Sequence, residues 1–469
     1  MDLPHNASGR DAKVRHPILL VALGVVVLLA IAGVAFVATQ RIRDGQTRAE
    51  IEKRLNAIRA SGEPMTAADL ARLFPDPPAD RDASLLLKPA VALLSVPEEP
   101  TNVPFFSDTV LPRSAALDEA VRTEVQRLLD RNRPALDSVP WASIDGARIG
   151  SGYANGFSNL TYVPLSPISQ LTKLLCLEAV MQAEGQHFPE AMRSLRRALL
   201  VAGTLKNDLP IHHFSRTVSE LLVCQTLNRI VNRTQVGEAE LRSISAALSV
   251  TNIAAVKEYL VNERCMALFA ADILKSGAKQ LTTGGVSPVR RLVRVYQARL
   301  FYHDDDFLQY LDWNRQCFAA LDMPISNAIP ILLSLEKIEQ QKHPVGFMDA
   351  FRRDRRSVLD TYEPQVSRLL SREAQAIAQV GATITALAIE RWRQKHDDQL
   401  PVSLADLVPA CLPALPYDPF NDQPFHYKKL PKGYVVYSVG PDFSDDGGKA
   451  RTPDVDESVP YDITFEVER

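Results

Sequence analysis

Cysteine is scarce: Cys176, Cys224, Cys265, Cys317 and Cys411 are the five in a chain of 469 residues. No two form a C-x-x-C pair, which leaves thiolate metal centres and thioredoxin-like chemistry without a basis. Cys176, Cys224 and Cys265 stand in apolar helical surroundings, where cysteine behaves as a small buried hydrophobe. One disulfide remains open in an oxidising compartment, with no pair singled out. An excess of one charge is also missing, since 53 Lys and Arg against 56 Asp and Glu give a net charge of -3. The two signs are mixed along the chain, so a nucleic-acid partner is not expected. Gly-x-Ser-x-Gly, His-Glu-x-x-His and a phosphate loop are absent too, which withholds a motif from any hydrolase reading.

Against these absences stands one long apolar run. Residues 18–38 carry no charged side chain, and a helix of that length matches a hydrocarbon core of about 30 Å. Arg10, Lys13, Arg15 and His16 precede it and Arg41 and Arg43 follow it, where cationic side chains reach headgroups. The run predicts a transmembrane helix over 17–39 behind a tail of 1–16. The rival is a signal peptide cleaved near Ala30-Ile31-Ala32; continuation of the run past that site favours the uncleaved anchor. The charge count, with Arg41, Arg43, Arg48, Lys53 and Arg54 downstream, by itself places the body in the cytoplasm.

Beyond the run, Ile51, Leu55 and Ile58 recur at helical spacing and predict a stalk, and Thr66 with Asp69 forms a capping box. Residues 40–165 read as stalk and irregular helical region. Gly150-Ser151-Gly152 mimics part of a dinucleotide fingerprint without a βαβ unit, so a turn-rich loop is expected. From 166 to 394 the period is helical. Leu171, Leu174, Leu175, Ala179 and Ala183 make one stripe, Gly185 interrupts it, and Pro189 restarts a helix with Ala191, Leu195, Ala198, Leu199 and Ala202. This αα-hairpin resembles one tetratricopeptide (TPR) unit, but no second copy follows at that period. Further helices are expected at 214–231, 238–248, 253–274, 289–302, 307–321 and 362–393.

Several polar clusters invite a functional reading. His212-His213 is expected to cap a helix or lie on the surface. His303-Asp304-Asp305-Asp306 has ligand-type residues, but consecutive positions on one turn diverge, so an acidic helix N-terminus is expected. Glu390-Arg391 with Trp392 and Arg393 reads as the exposed and interfacial faces of the last long helix, and Arg352-Arg353-Asp354-Arg355-Arg356 as a solvated face.

Near Lys395 the composition turns to Pro, Asp, Gly and aromatic residues, and a module over 395–469 begins. Residues 400–409 predict a turn and a short helix capped by Ser403, 416–424 a turn cluster, and 425–427, 434–439 and 463–467 three strands. Pro401 to Pro409, Pro416-Tyr417-Asp418-Pro419-Phe420 with Tyr427, Ser438-Val439-Gly440-Pro441-Asp442, Gly447-Gly448 and Asp462-Ile463 follow one another as in the C-terminal part of type II secretion major pseudopilins, which this stretch resembles. The whole chain is also similar to uncharacterised bacterial membrane-anchored proteins with a helical region before such a module. The chain departs from a pseudopilin at the apolar boundary, where Arg15-His16-Pro17-Ile18 replaces the processing signal, so a borrowed module is implied rather than a filament subunit. The resemblance implies an inner-membrane protein with 40–469 in the periplasm. It also implies calcium in the loop after Ser438-Val439-Gly440-Pro441-Asp442, with Asp442 and Asp462 as the matching aspartates. Asp445 and Asp446 extend the candidate ligand set in a loop that also holds Asp454, Asp456 and Glu457, although Phe443 stands where the family has glycine. Calcium takes six to eight oxygens, which such a loop can supply.

The fold expected is therefore mainly α, an irregular helical bundle with a TPR-like hairpin, plus a small C-terminal antiparallel β module and one transmembrane helix. The function expected is a membrane-anchored interaction or structural protein with a protein partner on its helical domain. An envelope hydrolase is the alternative.

Overall fold

The computed structural model describes residues 12–97, 101–160, 164–205, 210–248, 254–276, 304–342, 366–450 and 461–469. Of the side chains before position 41, only those at 28, 31, 32, 34, 35, 38 and 39 are described. The architecture is mainly helical with one three-stranded antiparallel sheet. In chain order the helices are α1 (Ala12–Ser61), α2 (Ala67–Leu73), α3 (Ala83–Leu86), α4 (Lys88–Leu93), α5 (Glu119–Asp137), α6 (Trp141–Ile144), α7 (Ser166–Glu184), α8 (Phe188–Gly203), α9 (Pro210–Arg233), α10 (Glu238–Ala247) and α11 (Ala254–Ser276). Then come α12 (Asp304–Leu321), α13 (Ile325–Lys342) and α14 (Val366–Lys395), followed by β1 (His426–Lys429), β2 (Tyr434–Ser438) and β3 (Ile463–Val467).

The expected αα-hairpin is α7 and α8. Pro167 and Pro189 lie in their first turns, where a missing N–H costs nothing. Gln186, at φ 63°, makes the reversal between them. The faces that meet carry Leu171, Leu174, Leu175 and Ala179 against Ala191, Leu195 and Ala198, all buried. Each buried leucine contributes about 1.5–3 kcal/mol. Thr66 and Asp69 form the expected capping box at α2, and Ser403 and Asp406 form a second at a short 3-10 turn over Leu404–Leu407.

Helix α13 was not legible in the sequence. Pro330 lies inside it and withholds the N–H that the carbonyl four residues back would accept, so proline punctuation hid a helix that tertiary packing sustains. The helices expected at 289–302 and the first residues of the one at 362–393 lie outside the described residues, as does the 352–356 basic cluster.

The sheet has the order β1-β2-β3, with His426 opposite Tyr437 and Ser438 opposite Ile463. Strand β2 is buried throughout, while β3 alternates. Both pack on α14, and the approach is close enough that a Cβ on Gly381 would lie 2.6 Å from the ring of Phe425. Glycine is the residue that admits this contact. One contiguous set of buried side chains runs from Ile51 through α7, α8, α9 and α14 to Val467 in β3, so helical region and β module share a core.

Helix α1 is continuous from Ala12 to Ser61 and contains the apolar run of 18–38. Among the described residues no helix is long and apolar enough to cross a membrane; most side chains of 18–38 lie outside that set, and the transmembrane expectation takes no support from it.

Candidate functional site

Three of the four candidate aspartates, Asp442, Asp445 and Asp462, are held by backbone N–H donors. Asp442 is exposed and accepts the Ser444 N–H at 3.1 Å, closing its own turn. Asp445 accepts the Gly447 N–H at 2.9 Å and lies 3.5 Å from His426 Nδ1. That backbone N–H, with Tyr437 and His426, holds its carboxyl below the ordinary range. Asp462 is buried and gathers the loop, accepting N–H groups of Asp446 at 3.3 Å, Gly448 at 2.7 Å and Lys449 at 3.2 Å. Burial pushes its pKa up, against those three donors, and the charge of Asp446 adds to the rise. Asp446 itself keeps Oδ2 buried with no hydrogen-bond partner among the described residues. The charge of Asp446 is felt at Asp462, so these two carboxylates are neighbours. Among the described residues no group of three or more His, Cys, Asp or Glu is arranged for a metal ion. Asp454, Asp456 and Glu457 lie outside the described residues.

Sequence reasoning passed over the aspartate that organises this module. Asp418, fully buried, accepts the Phe420 N–H at 3.0 Å and the Ser438 hydroxyl at 2.8 Å on one oxygen, and the Val439 N–H at 2.9 Å on the other. A buried carboxylate is tolerable when its lone pairs are met by donors in this way. The Pro416–Phe420 turn is thereby fastened to the end of β2. The surrounding Pro-x-Asp-Pro-Phe pattern was the available signal, and its aspartate proves to be structural.

Glu390, Arg391 and Arg393 correct the expectation of exposed faces on α14, because all three are buried. Glu390 accepts the Tyr434 hydroxyl at 3.0 Å and Arg393 at 3.1 Å, and pairs with Arg469. Arg391 donates to the Cys411 carbonyl at 2.7 Å. The helix packs against α9, α10 and α13 and against β2 and β3, so these polar residues face protein rather than water.

Of the two histidines, His212 departs from expectation, while His213 in the first turn of its helix stays partly exposed. Both lie within α9; His212 is buried, and burial pushes its pKa down to about 4. His213 Nε2 stands 2.7 Å from Glu373 Oε2, and Glu373 Oε1 is buried without a partner among the described residues. Glu258 lies near His213, its carboxyl raised by burial. Farther along α11, burial pushes Glu263 up to about 7 while Tyr259 donates to it. Its neighbour Arg264 pairs with Glu63 at 2.6 Å and lies 5.2 Å from the Phe318 ring centroid.

A groove of about 1110 Å³ opens beside this pair. Leu55 and Arg59 of α1, Met65, Asp69, Arg72 and Leu73 around α2, Phe157, and Leu268, Phe269 and Asp272 of α11 line it. Its lining is mostly apolar and contains no histidine or cysteine. The glycine loop near it binds no phosphate in this geometry: Asp76 Oδ1 accepts the Gly152 N–H at 2.9 Å and would lie 2.6 Å from a Cβ on Gly150, so the loop wraps an acid.

Helix α1 changes character along its length. Leu28, Ile31, Val34 and Ile42 are 66%, 59%, 71% and 62% exposed, and the described positions from 28 to 46 are all exposed. Among the described side chains burial begins at Thr47 and continues at Ile51 and Leu55, against α12. The acidic start of α12 is indeed a helix N-terminus, and arginines meet it: Arg43 reaches Asp305 at 2.9 Å and Arg48 reaches Asp304 at 2.7 Å, while Thr47 donates to Asp305 at 2.9 Å. Arg54 pairs with Asp312 at 2.9 Å two turns on. All five cysteines are buried, and burial pushes the thiols of Cys176, Cys224 and Cys265 up to about 12.

Comparison with known proteins found no matching family model, no matching curated protein and no matching solved structure.

Proposed function

We propose that this chain is a single-pass membrane-anchored protein of the bacterial inner membrane. Residues 1–16 lie inside, α1 crosses with 18–38, and the body on the far side presents a binding surface to a protein partner. The observation that carries the reading is the exposure of Leu28, Ile31 and Val34 on a helix whose first buried side chain, among the described residues, is Thr47. Apolar side chains in that position need a medium other than water, and a bilayer supplies one. The groove beside α2 fits binding better than hydrolysis, since its lining is mostly apolar and two of its three carboxylates, Asp69 and Glu63, are paired with Arg72 and Arg264. An enzyme reading would have to rest on His213, Glu258 and Glu373.

The C-terminal module acts in this reading as a clamp on α14, similar in its motifs to the pseudopilin module. Calcium at its loop is part of the proposal, supported by the partnerless Asp446 oxygen beside Asp462. Asp442 and Asp445 are committed to their own turns and do not join that pair.

The test is a reporter active only in the periplasm, fused after Arg469, together with carbonate extraction. Activity and resistance to extraction are expected; Val34→Arg, which costs insertion about 2.5–3.5 kcal/mol, should release a measurable share of the protein. A reporter active only in the cytoplasm would sink the topology, and quantitative release of the unaltered chain would sink the anchor.

A further inference from the structure

We propose that the body rests directly on the headgroups of the bilayer that α1 crosses, with the N-terminal end of α12 as the contact surface. The inference rests on the membrane reading above and adds to it the distance and the side of the body that faces lipid. Arg43 is five positions past Ala38, which along a continuous helix is about 7.5 Å. Thr47, the first buried position among the described side chains, lies nine past it, or about 14 Å. A headgroup layer is about 5–7 Å deep on each side of the hydrocarbon, so Asp305, held by Arg43, stands at the outer edge of that layer. No slack tether intervenes, because α1 remains helical through Ser61.

The direction follows from the pairing. Arg43 meets Asp305 and Arg54 meets Asp312, so α12 runs alongside α1 in the same sense, its N-terminal end nearest the bilayer.

Charge makes this contact tolerable. Asp304, Asp305 and Asp306 in the first turn of α12 would be repelled by anionic lipid if left bare. Arg43 and Arg48 offset two of those charges, and Arg41, exposed on α1, faces the same layer. The two ion pairs are largely open to solvent, with Arg43 and Arg48 side chains 66% and 71% exposed, and in bulk water such pairs contribute little. Near a bilayer the effective dielectric falls and the same attraction strengthens. The lock is thus built to tighten where the body meets lipid, while Thr47, Ile51 and Leu55 supply the buried contact beneath it.

The test uses the full chain in phospholipid vesicles containing a nickel-chelating lipid, with a nitroxide on Gln309→Cys or on Asp322→Cys. The native cysteines are buried, so the introduced thiol takes the label. Relaxation by headgroup nickel is expected to be several-fold greater at 309 than at 322. Equal relaxation at both positions in carbonate-resistant protein overturns the proposal and leaves the anchor standing; failure to insert overturns both. Arg43→Glu with Arg48→Glu should abolish the contrast, and adding Asp304→Arg with Asp305→Arg should restore it. A contrast that survives the first pair of changes overturns the ion-pair lock.

Discussion

Asp418 accepts the hydroxyl of Ser438 at 2.8 Å, across 20 residues of chain, and this bond joins the proline-rich turn to the end of the central strand. The same carboxylate holds two backbone N–H groups, so three donors depend on it. Asp418→Ala leaves them buried without an acceptor and should cost on the order of 3–5 kcal/mol. Ser438→Ala removes one donor and should cost about 1 kcal/mol. Urea unfolding of the two variants measures the difference; equal costs would refute the central role given to Asp418.

Gly381 faces Phe425 at a distance that excludes a methyl group. Gly381→Ala is expected to destabilise by about 1–3 kcal/mol through overpacking, despite alanine's better helix propensity. Shortening the ring in Gly381→Ala with Phe425→Leu should recover part of the loss. A thermal melt in which Gly381→Ala alone is stabilising would show that α14 and the β module are not pressed together there.

Glu263 and His212 give stability opposite pH dependences. The Glu263 carboxyl has a folded pKa of about 7 against 4.5 for the free side chain, so the fold prefers its protonated form. Its contribution is best below 4.5 and is lost as pH rises to about 7, a difference on the order of 3 kcal/mol. Glu263→Gln should therefore raise the melting temperature at pH 8 and make little difference at pH 4.5. His212, at about 4 against 6.5, is held neutral; its contribution is full above 6.5 and is lost as pH falls toward 4. His212→Gln should soften acid unfolding only. Melting curves of both variants at pH 4.5 and 8 check the signs, and a Glu263→Gln gain of equal size at both pH values would refute the assignment.

Calcium, if it binds beside Asp446 and Asp462, removes repulsion between neighbouring carboxylates. The full chain should then melt at a higher temperature with millimolar calcium than in sodium chloride of matched ionic strength. Asp446→Asn with Asp442 intact should abolish the rise, whereas Asp442→Asn should not. Superimposable melting curves of the unaltered chain in the two salts would dispose of the calcium site.

Local order was legible in the residues themselves. The α7–α8 hairpin, the Thr66 capping box, the Ser403 cap and the three strands were each announced by a period, a cap or a turn residue, because such signals act over a few residues and need no partner elsewhere. The apolar run was equally plain, and it lies in a helix as expected. What the sequence could not contain was which side chains face one another across the fold. Adjacent aspartates after Ser438 looked alike, yet Asp442 and Asp445 each close a turn of their own, while Asp462 gathers the N–H groups of Asp446, Gly448 and Lys449. Glu390 and Arg393 looked solvated because charge alone carries no sign of burial; Tyr434 and Arg469, 44 and 79 residues away, take them inside. Pairing over such distances is decided by how helices and strands stack, so Asp418's lock, the Arg43 and Arg48 contacts with α12 and the buried histidine emerged only in three dimensions.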